Sequence, residues 1–158
     1  MEIIEIGAVE LDNTHFFPIS DFDQFVRPTE RPMLSEFCRE LTTIRQSQVD
    51  GAPTFLDAFT AFTDWIGGES FKLCSWGDFD MELIDAECAR HQCQLPSTML
   101  GHINLKNLYS RAYGTKPSLG LKEAMRKLGM PFEGTMHRGI DDARNIAKVA
   151  QTILVLDS

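Results

Sequence analysis

Two short stretches of the chain carry polar side chains that their surroundings do not need for solubility. In SWGDFDMEL, Asp78 and Asp80 stand where an apolar strand pattern gives way to a helical one. In HRGIDDARNIA, His137 stands five residues ahead of Asp142, which begins an amphipathic segment. Each stretch has a plain structural reading, because Asp78 and Asp141 suit N-cap positions and the helix dipole favours carboxylates in a first turn. Each also has a chemical reading. A histidine on a glycine-containing loop, with an unperturbed pKa near ~6.5, suits general-base work at neutral pH. Two carboxylates from separate elements can hold hard divalent cations through oxygen, and a nearby histidine can take the proton from a water that such a cation activates. Together the two stretches hold the equipment for cutting a phosphodiester.

The elements that must position these residues are readable in outline. Residues 2–11, EIIEIGAVEL, alternate β-branched and polar side chains and predict a strand. Turn chemistry from Asp12 to Ser20 precedes a second strand near Asp23 to Arg27, ended by Pro28 and Pro32. Ser35 starts a short helix over EFCREL, and Thr42 to Gly51 predicts another helical turn. Thr54 with Asp57 forms a capping-box start for a helix whose Phe55, Phe59, Phe62 and Ile66 share a face, stopped at Gly67-Gly68. Phe71 to Trp76 predicts a buried strand that leads into a helix with Phe79, Leu83 and Ala86 at helical spacing. Residues 104–113 and 118–128 predict helices ending at Gly114 and Gly129. A last helix from about Asp141 to Leu154 turns Ala143, Ile146, Ala147, Ala150 and Ile153 inward. Strands early and helices late predict an α/β domain with a small sheet covered by helices.

The 158 residues match one domain, and 43% apolar content is enough for a continuous core. A net charge of −8 excludes a protein that grips nucleic acid by bulk positive charge, so any such contact is local or metal-assisted. No apolar stretch approaches the ~20 residues of a membrane span, and MEIIEIGAV has no basic n-region, which together predict a cytoplasmic protein with no membrane partner. Cys38, Cys74, Cys88 and Cys93 form no CxxC pair and read as reduced packing thiols; Cys88, His91 and Cys93 lack a suitably spaced fourth ligand.

The segments EIIEIGAVEL, FVRP, LSEFCRELTTIRQSQVDGAPTF, SWGDFD, INLKNLY and LGMPFEGTMHRGIDDARNIA together resemble the DEDDh 3′-to-5′ exonucleases, relatives of ribonuclease T and the proofreading exonucleases. Within that family they look most like the histone-mRNA and RNA-interference-regulating branch. The resemblance runs from Glu2 to about Leu154. It implies a ribonuclease H-like mixed sheet flanked by helices, and release of nucleoside monophosphates from 3′ ends of single-stranded RNA first, with DNA as the second class. Two divalent cations, Mg²⁺ or Mn²⁺, would bracket the phosphate. Residue by residue it makes Asp80 and Asp142 metal ligands and His137 the general base. Arg138, with Arg144 and the basic residues of the preceding helix, would meet phosphates near the His137 loop; Lys106 and Asn104 lie at a helix start where they would touch the substrate, although capping accounts for Asn104 equally well.

One departure stands out. The family's Asp-x-Glu motif, on a strand just ahead of the EIIEIGAV segment, has no counterpart here, and Glu2 and Glu5 are the only nearby acids. The expectation is a single exonuclease domain over 1–158 that is N-terminally incomplete, lacks its first, central strand and has little activity as it stands. The alternative expectation is a non-catalytic RNA-binding or protein-interaction module on a nuclease fold.

Overall fold

The computed structural model describes residues 1–157. Strands β1 (Glu5–Leu11) and β2 (Pro18–Phe25) pair antiparallel, with Glu5 opposite Phe25 and Glu10 opposite Ser20. The connecting turn is built on one side chain. The Asp12 carboxylate accepts from the N–H groups of Thr14, His15 and Phe17 at 2.6–2.8 Å. β2 begins earlier than the sequence suggested, at Pro18, opposite Leu11, where the ladder is already irregular and a missing N–H is tolerated.

Strands β3 (Phe71–Ser75) and β4 (Met99–Asn104) pair in parallel, connected through helix α4 (Phe79–Arg90). β4 is a strand that the sequence pattern hides. Gly101 and His102 interrupt its apolar run, and the predicted helix beginning at 104 starts only at Leu105. In α4 the inward stripe is Leu83, Ile84 and Cys88 with a buried Glu87, which Arg90 and His91 satisfy. Phe79, expected on that stripe, is 56% exposed.

Helices lie on both faces of these strands. On one side, Leu11, Cys74 and Ile103 pack against α5 (Leu105–Tyr113), α6 (Leu121–Lys127) and α7 (Gly139–Asp157) around Tyr109, Met125, Val149 and Ile153. On the other, Ile6, Ala8 and Phe22 meet α4 and α3 (Phe55–Ile66) through Phe55, Phe59 and Phe62. The short helices α1 (Glu36–Thr42) and α2 (Gln46–Asp50) lie between β2 and α3 in the chain. The result is a mixed α/β fold with small sheets flanked by helices.

The two strand pairs share no ladder among the described residues. Val26 N–H donates to Ile4 O at 2.9 Å, and the antiparallel alternation then turns the backbone groups of Ile6 and Ala8 toward β2 and those of Glu5, Gly7 and Val9 toward the opposite edge. β1 therefore has helices above and below yet none of its residues is buried, because one edge is open.

Two of the expected caps, at the starts of α3 and α4, are not made. Thr54 forms no capping bond; instead its backbone makes an isolated parallel bridge with Arg27. Asp78 also caps nothing. Ser35 Oγ does accept from Cys38 N–H at 3.1 Å. Among the described residues no helix is long and apolar enough to cross a membrane.

Candidate active site

The first half of the site grows from the end of β3. Gly77, at φ +103°, makes the turn into α4 in a conformation that a side chain would strain. The turn is pinned from below. Buried Ser75 donates its hydroxyl hydrogen to Gly77 O at 2.8 Å, so the 2.6 Å contact between Ser75 Oγ and His102 Nε2 assigns the ring hydrogen to Nε2. His102 Nδ1 stands 3.9 Å from Asp78 Oδ1. Asp80, in the first turn of α4, is accessible to solvent but surrounded closely enough by protein that desolvation raises its carboxyl pKa, against the opposing pull of His102. Crowded yet accessible describes a carboxylate on the floor of an open cleft.

The second half is the start of α7, two residues earlier than the sequence suggested. Its first amides are satisfied from β1. Glu5, its side chain only 4% exposed, accepts from Gly139 N–H at 2.8 Å and pairs with Arg138 Nε at 3.2 Å, while the Arg138 guanidinium lies 5.1 Å from the centre of the Phe25 ring. A Cβ on Gly7 would fall 2.2 Å from Ile140 N, so only glycine lets β1 and α7 approach this closely. Asp141, the expected N-cap, lies inside the helix and instead accepts from Thr135 N–H at 2.9 Å. Buried Asn145 donates to Glu133 O and Asp141 O, each at 2.7 Å, and holds the approaching loop against the helix.

These contacts force a tight turn in which His137 adopts φ +67° and donates its backbone N–H to Asp142 Oδ1 at 3.3 Å. The pKa of Asp142 is raised, first by desolvation and then by the charges of Asp80 and Asp141, against the opposing influence of His137. The charge of Asp80, 62 positions earlier in the chain, is thus felt at Asp142. Such a pair has hard oxygen donors and unfavourable mutual charge that a divalent cation would relieve. They fit part of one coordination shell. Among the described residues no group of three His, Cys, Asp or Glu side chains converges on a metal position.

The other expected residues fall nearby. Asn104 Oδ1 accepts from Asn107 N–H at 3.0 Å and caps α5. The aliphatic stem of Lys106 passes beside Gly77, its Cδ 4.0 Å from where a Cβ would stand. Arg138 is engaged with Glu5 and Phe25. The two N-terminal acids are also occupied, since Glu2 accepts from the N–H groups of Thr29, Glu30 and Arg31 at 2.7–3.0 Å and Glu5 holds α7. Sequence reasoning missed His102 and Ser75, because their contact depends on a parallel pairing of β3 with a strand whose pattern was not recognised.

The RNase_T exonuclease profile matches residues 1–150. The chain belongs to this exonuclease family. It is 36% identical to the ERI1 exoribonuclease 2 of Danio rerio over 174 residues, covering 97% of this chain and 31% of that protein. It is 37% identical to the human 3′-5′ exoribonuclease 1 over 162 residues, covering 97% of this chain and 46% of that protein. The chain therefore spans about a third to a half of these relatives' length. Among solved structures, the nuclease domain of 3′hExo, a DEDDh family member bound to rAMP, superposes with a TM-score of 0.90 at 33% identity, covering 98% of this chain and 81% of that one. The branch expected from the sequence, that of the histone-mRNA exonuclease, is the one these family members represent.

Proposed function

We propose that this chain is the catalytic domain of a 3′-to-5′ exonuclease that releases nucleoside monophosphates from the 3′ ends of single-stranded RNA, with DNA ends as a second substrate class. The carrying observation is the meeting of Asp80 with Asp142 beside His137, from opposite halves of the fold. RNA comes first because the relatives are named exoribonucleases, and a similar solved structure is described as 3′-end specific recognition of histone mRNA stem-loop by a 3′-exonuclease.

In this reading Asp80 and Asp142 would hold Mg²⁺ or Mn²⁺, which when bound supplies charge neutralisation at the phosphate and acidifies the attacking water. His137, on an exposed turn beside Asp142, takes the proton from that water. Phe79, exposed immediately before Asp80, offers a ring on which a terminal base can stack. Lys106 and Asn104, beside the Gly77 turn, approach phosphate oxygens, and Arg138 contributes positive charge from its anchored position. Two ions need more carboxylates than this pair; in this reading they would come from a further strand paired along the open edge of β1.

The test is digestion of 5′-labelled single-stranded RNA with Mn²⁺, using the chain alone and the chain with an Asp-x-Glu strand fused ahead of Met1. The fused protein should give a ladder of 3′-shortened products, and Asp142→Asn should abolish the ladder without altering the circular dichroism spectrum. That no third donor converges among the described residues favours the second reading, a binding module. RNA binding without products from either protein would establish that reading instead.

A further inference from the structure

Beyond the Asp80–Asp142 cleft, a trough of about 630 Å³ runs along the outer edge of β4, bounded by Lys72, His102, Asn107, Ser110 and Arg111. Its size falls within the ~300–1,000 Å³ of ordinary ligand sites. Asn107, Ser110 and Arg111 share one face of α5 by their spacing. Lys72 faces them from β3, and the residue paired with it on β4 is Gly101, where an added Cβ would meet nothing within 4 Å.

Two cations border the trough. Lys72 and Arg111, both exposed, join no ion pair among the described residues. Against one lining acid, they give the trough a local excess of positive charge in a chain of net charge −8. Asn107 and Ser110 add neutral hydrogen-bonding groups, and the acid in the trough, Asp157, lies at the end of α7. His102 connects trough and cleft, since it lines the first and touches Ser75 beneath the Asp80 turn.

We propose that this trough is a track for the phosphodiester backbone of a single-stranded nucleic acid, carrying the nucleotides that precede the 3′ end held at Asp80 and Asp142. The inference rests on the nuclease reading of that cleft and extends it. Exposed cations flanked by neutral donors match phosphate contacts that position a strand without reading its bases.

The experiment measures binding of a fluorescein-labelled 12-nucleotide oligouridine to the full chain by anisotropy, in EDTA so that nothing is cleaved. Lys72→Glu with Arg111→Glu should weaken binding about tenfold or more and reduce the salt slope by roughly 1.4, two phosphate contacts at about 0.7 each. Arg39→Glu with Lys116→Glu, of identical net charge, should stay within about threefold of the parent. Lys72→Gln with Arg111→Gln, which removes both charges without reversing them, should weaken binding several-fold and decides the matter if the charge-reversed variant fails to fold. Equal affinity of the trough variants and the control would overturn the track. So would a parent chain that binds no oligouridine, or displacement by poly-glutamate as effective as by unlabelled oligouridine, which would indicate an acidic protein segment. The nuclease reading is judged separately by Mn²⁺-dependent binding of UMP, which depends on Asp80 and Asp142 rather than on the trough.

Discussion

His137 occupies a left-handed conformation that non-glycine residues rarely adopt, and the contacts of Asp141, Asp142 and Asn145 around it over-determine that turn. Its ring serves no structural contact among the described residues, which leaves it available for proton transfer. In a chain carrying the Asp-x-Glu strand, His137→Ala should lower turnover by ~10²- to 10⁴-fold while sparing Mn²⁺ affinity. Near-normal turnover at pH 7 would remove it from the mechanism. A second residue-scale prediction concerns Asp23, whose carboxyl is pushed up to about 6 by desolvation and then by the charge and hydrogen bond of Glu5. The folded state therefore holds a proton that the unfolded chain releases near 3.8, and stability falls as pH rises from there through about 6. Asp23→Asn retains a donor for Glu5 and has no charge to acquire. Its unfolding free energy in chemical denaturation should match the parent at pH 4 and exceed it above pH 6, by less than ~1 kcal/mol at this exposed position. An advantage that is greater at pH 4 would contradict the coupling to Glu5.

Among the elements, β1 and α7 set the geometry on which the cleft depends. Gly7 allows the backbone of Ile140 to lie directly against the strand, and Glu5 on the same face of β1 satisfies the first amide of α7. Gly7→Ala cannot be absorbed by a flexible side chain, because backbone atoms occupy the space. It should cost about 2–3 kcal/mol in chemical denaturation and tilt the Asp142 turn away from Asp80. A variant as stable as the parent would mean that α7 shifts freely on the sheet. The α4 side works differently: the Ser75–His102 contact ties the Gly77 turn to β4, so Asp80 is located by side chains from two strands and not by a cap on its own helix.

For the whole molecule, the open edge of β1 is the feature with the largest consequence. Its free backbone groups at Glu5, Gly7 and Val9 form a template for another strand, and unpaired edges of this kind drive association. The chain alone should self-associate in a concentration-dependent manner in sedimentation velocity, and fusion of a strand that fills the opening should make it monomeric. A stable monomer at high concentration without such a strand would count against an accessible edge. Much of this was legible in the residues. The period-2 pattern of EIIEIGAVEL reports the alternating faces of a strand, the shared face of Phe55, Phe59 and Phe62 and the inward stripe of α7 report burial that each segment expresses locally, and the spacing of His137 to Asp142 survives because both sit on one turn. The sequence also placed Asp80 at the start of a helix. Tertiary structure alone decided the rest. β4 is set by parallel pairing with β3 and not by its own pattern; Glu5 became the anchor of α7 because folding brought residues more than 130 positions apart to within 2.8 Å; and the meeting of Asp80 with Asp142 depends on packing two halves whose partners no local pattern encodes.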